Sequence, residues 1–202
     1  MFVDSHCHLT FPELHQRIDA VRADMAAAQV DRALVICTTL EEFDAVHALA
    51  MAHDNFWCTA GVHPDTEGLE EPDFDRLHTL ATRPRVVGIG ETGLDYYRLN
   101  GRSIADMAWQ RDRFAVHLAV ARAVCKPLVI HTRSASDDTV ALLRAAQAEA
   151  SGALTGVFHC FTETADVARA ALDLGFMISF SGILTFKTAQ ALRDVAAFVP
   201  LD

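Results

Sequence analysis

The sequence contains no apolar run approaching the roughly 18 residues that a helical membrane span requires. Its opening residues, "MFVDSHCHLT", lack the charged region and apolar stretch of a secretory signal. No C-x-x-C pair occurs, and the five cysteines, at 7, 37, 58, 125 and 160, are odd in number. Such usage fits reduced thiols in a cytoplasmic protein better than a disulfide framework. A basic surplus is also missing. The net charge is −10, which argues against gripping long duplex DNA through a broad basic face but leaves room for a nucleic-acid substrate at a small local site. No Pro/Gly/Ser-rich linker or low-complexity tract divides the chain, so one domain over residues 1–202 is expected.

What is present is apolar and periodic. The chain has 202 residues, 51% of them hydrophobic, enough for one sizeable core. Seven short β-rich runs recur: "MFVDSH" (1–6), "RALVICT" (32–38), "FWCTAGV" (56–62), "RVVGIGE" (85–91), "PLVIHT" (127–132), "GVFHCF" (156–161) and "FMISFSG" (176–182). Helical spacing separates them. Leu14, Ile18, Val21 and Met25 fall on one stripe, as do Phe114, Leu118, Ala121 and Cys125. "SASDD" (134–138) offers N-caps for a further helix. Strands alternating with helices imply a parallel sheet, because parallel neighbours need crossovers, and continuously apolar strands imply burial on both faces. The architecture is either a doubly wound sheet or a (β/α)8 barrel of which seven βα units are present.

"GIGETG" (88–93) matches a dinucleotide-binding pattern, but that pattern needs a helix opening at the glycines, and "LDYYRLNGRS" reads as a loop. The glycines are better explained as a tight exit from a strand. Five other residues share a position. His6 and His8, two apart, point to one side at the end of the first strand. Glu91 ends the fourth strand, His131 the fifth, and His159 lies near the end of the sixth. In α/β folds that edge is where ligands bind. Imidazoles with a carboxylate form a ligand set for Zn, Mn, Fe or Ni, and for Mg where more oxygens join. His15, His47, His53, His78 and His117 fall on helical stretches and read as surface histidines.

"DSHCHL", "GVHP", "GIGETGLDYYR", "IHTR", "HCFT" and "SGILTFK" together resemble the TatD-type metal-dependent deoxyribonucleases, a family of amidohydrolase-like TIM barrels, in the right order along the whole chain. The resemblance implies two divalent metal ions (Mg, Mn or Zn). His6, His8 and Glu91 would hold one, and Glu91, His131 and His159 the other, with Glu91 bridging and central to catalysis. It also implies an eighth strand bearing an aspartate. The 202 residues stop at "FVPLD", and Asp202 sits too early to be that aspartate, so a C-terminally incomplete barrel and a longer native chain are expected. A metal-activated water would be the nucleophile, leaving Cys7 and Cys160 to pack. Arg133 and Arg98 are candidates for binding substrate phosphate, with His63 facing the substrate and Lys187 a weaker candidate. Tyr96 and Tyr97 are positioned to stack on a base or to anchor their loop.

The expected activity is phosphodiester hydrolysis, the trimming of single-stranded DNA ends, with no membrane or obligate protein partner. Two other readings stand beside it: an amidohydrolase-type enzyme acting on a small ester, amide or lactone, and an inactive truncated form.

Overall fold

A computed structural model of the protein describes residues 2–149 and 154–201. Asp202, and with it the expectation placed on that residue, lies outside them. Seven strands form one sheet: β1 (Phe2–Cys7), β2 (Val30–Val35), β3 (Phe56–Ala60), β4 (Val86–Asp95), β5 (Leu128–Arg133), β6 (Gly156–Phe158) and β7 (Met177–Ile178). They pair in chain order, every neighbour parallel. The crossovers are helical: α1 (Pro12–His15), α2 (Ile18–Ala27), α3 (Phe43–Ala52), α4 (Phe74–Ala81), α5 (Ala108–Val124), α6 (Ser136–Glu149) and α7 (Ala165–Asp173), with α8 (Gln190–Phe198) after β7. The sheet curls into part of a barrel. Phe56, Ile89, Leu128 and Phe158 on the strands, with Phe114 of α5, are fully buried in its core. Among the described residues no helix is long and apolar enough to cross a membrane, and all five cysteines are free.

Local chemistry sets the element ends. Asp73 caps α4 by accepting the Arg76 N–H at 2.8 Å, and Thr164 caps α7 through the Val167 N–H. Cys125 closes α5 in the left-handed conformation (φ 53°), so it leaves the apolar stripe expected of it and is exposed. The stripe Leu14–Ile18–Val21–Met25 packs on the core, but the single helix it implied breaks at Arg17 (φ −124°, ψ 31°) into α1 and α2.

Three further expectations are corrected. β4 runs on to Asp95, so Glu91 lies inside the strand and "LD" is not loop. The sixth and seventh strands are much shorter than expected, which leaves His159 just beyond β6 and residues 182–185 in a 3-10 turn. His47 and His117 are buried, not on the surface. His47 Nε2 reaches the Pro84 carbonyl at 2.9 Å, and His117 is bonded at both ring nitrogens. Apolar helical spacing does not show which polar side chains find backbone partners in the interior.

The glycines of "GIGETG" serve packing. A Cβ at Gly90 (φ 149°) would lie 2.6 Å from the Val129 carbonyl oxygen, and one at Gly93 would collide with the His131 backbone. Only glycine lets β4 press this closely on β5. The same strands are irregular where the polar residues sit. Between Asp4 and Cys7, β1 carries one residue more than β2, and between Ile89 and Thr92, β4 carries one more than β5. Such bulges re-aim side chains.

Candidate metal centre

The bulges and strand ends bring His6, His8, His63, Glu91 and His131 around one opening. Glu91 is buried, and its N–H is tied to the Cys37 carbonyl at 2.8 Å. Its two oxygens face different imidazoles. Oε2 lies 3.2 Å from His6 Nε2 and 3.9 Å from His8 Nε2. Oε1 lies 3.4 Å from His131 Nδ1 and 3.5 Å from His63 Nε2. The donor atoms of His6, His8 and Glu91 lie within 4.8 Å of one another, and so do those of His63, Glu91 and His131.

His159 joins neither trio. Its ring lies flat on that of His6, centroids 3.3 Å apart and 6° from parallel, and its N–H is fixed on the Ile130 carbonyl. The resemblance implied His159 beside Glu91 and His131, and the side chain grouped with those two here is His63. The "GVHP" turn had shown a histidine there without showing where its ring points. Two carboxylates had no signal in the spacing. Asp95 Oδ2 lies 3.0 Å from His131 Nε2, and Asp65 Oδ1 lies 2.5 Å from His63 Nδ1. Each holds the far nitrogen of an imidazole and so orients the near nitrogen toward Glu91, the usual support for a metal-ligating histidine.

The donor chemistry fits divalent ions. Nε2 of His6 and Nε2 of His8 face each other at 3.2 Å, with a carboxylate oxygen beside both. One proton satisfies two of these three atoms, whereas a cation satisfies all three. His6 Nδ1 is buried without a hydrogen-bond partner, so stacking on His159 orients that ring.

Without an ion, protons on the His63 and His131 side offset the Glu91 carboxylate, and an ion held there would displace them. Burial works to raise the Glu91 pKa, but hydrogen bonds from His131, His6 and His63 outweigh it and hold the carboxyl far below the usual range. Burial and the neighbouring His6 push His159 down to about 4 and lower His8 as well, which favours the neutral ring in both. Burial also opposes charge on His63, but Asp65 and Glu91 raise it to about 9. In the same way Asp95 and Glu91 raise His131 against its burial.

His8, Phe11, Thr38, His63, Glu91, His131 and His159 line a cavity of about 340 Å³ at this opening. Arg98 and Arg133 line a separate neighbouring cavity. Tyr96 is buried, its hydroxyl 2.7 Å from Asp138, whereas Tyr97 is exposed with the Arg133 guanidinium 3.6 Å from its ring centre. Lys187 is exposed and lines neither cavity. Cys7 donates its S–H to the Leu34 carbonyl, and Cys160 faces the Ser181 hydroxyl.

Residues 3–202 match the protein family described as TatD related DNase. The chain belongs to that family. An uncharacterized metal-dependent hydrolase, YcfH of Escherichia coli K12, is 42% identical to this TatD-family chain over 203 residues, which are 99% of the chain and 74% of the relative. A protein named 3'-5' ssDNA/RNA exonuclease TatD, from Enterobacter lignolyticus, is 35% identical over 98% of the chain and 75% of its own length. The crystal structure of YJJV, a TatD homologue from Escherichia coli K12, superposes with a TM-score of 0.87 at 27% identity, covering 98% of this chain and 75% of that one. The curled parallel sheet is therefore a TatD-type TIM-barrel fold, and the protein is a metal-dependent hydrolase of the TatD family.

Proposed function

We propose that the protein hydrolyses phosphodiester bonds at the ends of single-stranded nucleic acid, with two divalent ions that His6, His8 and Glu91, and His63, Glu91 and His131, would hold. The observation that carries this reading is the two-sided environment of that carboxylate, with His6 and His8 on Oε2, and His63 and His131 on Oε1. The name borne by the Enterobacter lignolyticus relative supports the substrate class.

A pair of divalent ions supplies positive charge for the attacking and leaving oxygens of an in-line displacement and acidifies water. The chain's own residues do the rest. Glu91, ionised and pinned through its backbone, sets the separation between the two sides. Asp95 and Asp65 fix the rings of His131 and His63. His159, flat against His6, is a neutral imidazole at the cavity wall. Phe11, half exposed and 5.2 Å from the His8 ring, offers an apolar face at the mouth. The net charge of −10 repels polyanions at long range, which favours a strand end entering a local cavity over capture of a long duplex.

The test uses an end-labelled single-stranded oligonucleotide, closed circular duplex DNA, and a panel of small esters and lactones, each with Mg²⁺ or Mn²⁺. Stepwise shortening of the oligonucleotide, with the circle intact, supports the reading. Equal attack on the circle, or turnover of the esters alone, overturns it. Glu91→Gln is expected to abolish hydrolysis and to reduce the bound ions counted by elemental analysis, with far-UV circular dichroism unchanged.

A further inference from the structure

The cavity beside the histidine cluster is the strongest unassigned feature. It measures about 240 Å³ and is lined by Asp65, Asp95, Arg98, Asn100 and Arg133, among others. Asp65 lines both cavities, so the two are contiguous.

The charges on its wall divide into committed and free. Asp65 is bonded to His63 and Asp95 to His131. Glu67, also on the wall, receives both terminal nitrogens of Arg102, at 3.0 and 2.6 Å. Arg98 and Arg133 have no ion-pair partner among the described residues, and Arg133 is held instead against the exposed Tyr97 ring. The floor is fixed. Gln110 is buried, taking the Asp95 N–H at 2.8 Å and donating to the Asp95 carbonyl at 3.0 Å, so both ends of its amide are tied to the Asp95 backbone. What remains to meet an occupant is the Asn100 amide and a pair of guanidinium groups, whose fork geometry matches phosphate oxygens.

We infer that this cavity binds a second phosphate of the substrate, one nucleotide away from the phosphodiester being cleaved. The inference rests on the hydrolytic reading given above. Successive phosphates of an extended strand are separated by one sugar, and Asp65 lies on the wall of both cavities, so a strand end held in one reaches the other. A terminal nucleotide that carries its own phosphate then spans both, whereas one ending in a hydroxyl leaves Arg98 and Arg133 unused. The preferred substrate is thus a single strand with a phosphorylated end.

Two measurements test this. The first compares hydrolysis of a thymidine dinucleotide with and without a terminal phosphate, at saturating Mn²⁺. The intact protein is expected to favour the phosphorylated dinucleotide by about tenfold or more in kcat/KM, the scale of charge-assisted hydrogen bonds. Arg98→Ala with Arg133→Ala is expected to bring that ratio close to one. A general fold defect lowers both rates and preserves the ratio, which counts against the inference, as does equal use of the two dinucleotides by the intact protein. The second measurement is calorimetric titration of the metal-free protein with thymidine 3′,5′-bisphosphate. Binding that disappears in the double variant supports the subsite even where no hydrolysis is seen, which separates its fate from that of the hydrolytic reading. Binding that is absent from the intact protein, or that persists in the variant, overturns it.

Discussion

Asp95 illustrates how single residues carry the site without touching its centre. Its Oδ2 holds His131 Nε2, its Oδ1 accepts the Tyr97 N–H at 2.8 Å, and its backbone is clamped by Gln110. The carboxylate therefore has one orientation, and so does the imidazole that it holds. Burial works to raise its pKa, but the His131 ring and the Tyr97 N–H lower it, so it accepts the imidazole N–H as an anion. Asparagine keeps the shape and removes the charge. Asp95→Asn is expected to weaken divalent-ion binding by about 10- to 100-fold in calorimetric titration, the usual scale for such supporting carboxylates. Thermal unfolding of the metal-free variant should stay close to that of the parent, and unchanged metal affinity would show that Asp95 does not orient His131. Such residues mark the limit of what the sequence discloses. His6, His8 and Glu91 are visible because spacing in a strand and position at its end are local properties. Asp95 is invisible because its role depends on β4 extending past Glu91 and on a bulge that shifts register against β5. His63 is visible as a histidine before Pro64, but its place beside Glu91 depends on how the turn after β3 folds back.

At the scale of elements, α5 does more than cover the sheet. Gln110, Arg113 and His117 recur along one face of it and are all buried. Gln110 clamps the Asp95 backbone. Arg113 donates to the His63 carbonyl at 2.7 Å and pairs with Glu71. His117 accepts the Val62 N–H at 3.0 Å on Nε2 and donates from Nδ1 to the Arg113 carbonyl at 2.8 Å. One helix thus holds the backbone of both segments that present His63 and Asp95. Hydrophobic periodicity reveals the apolar stripe Phe114–Leu118–Ala121 on this helix, but not the polar one, since polar residues on a helix read as solvent-facing until their partners are known. The His117 contacts need a neutral ring, because a proton on Nε2 would face the Val62 N–H. Burial lowers its pKa from 6.5 to about 4. The unfolded chain binds this proton between those values while the native state does not, so stability falls as pH drops through that window. The contribution is about 2 kcal/mol between roughly pH 7 and pH 4.5. Denaturant unfolding at both values should show His117→Gln losing less stability on acidification than the parent, by about that amount. An identical acid loss in parent and variant would remove His117 as the cause.

At the scale of the whole molecule, the parallel order β1 to β7 leaves the outer sides of the first and last strands without a strand partner among the described residues. Exposed apolar side chains lie on both open edges, and Asp4, which accepts the His6 N–H at 3.0 Å, is the one carboxylate on them. Phe2, Val3 and Met177 are 63%, 61% and 71% exposed. Leu172, Phe176, Ile178 and Val199 line a cavity of about 460 Å³ beside the β7 edge. An edge that combines free N–H and C=O groups with exposed apolar side chains is a template for another strand, and natural sheets blunt such edges with charge, proline or a covering element. Neither β1 nor β7 carries a lysine, an arginine or a proline, and β7 is only two residues long. The 202-residue chain is therefore expected to self-associate, its weight-average mass rising with concentration in sedimentation equilibrium. Net charge opposes this at long range, so added salt, which screens the −10, should strengthen association. Val3→Lys with Met177→Lys places one charge on each edge, away from the histidine cluster, and should reduce the association while leaving far-UV circular dichroism unchanged. A parent chain that stays monomeric at every concentration and salt level would show that its edges are protected by some other means, and association that persists in the double variant would locate the contact elsewhere.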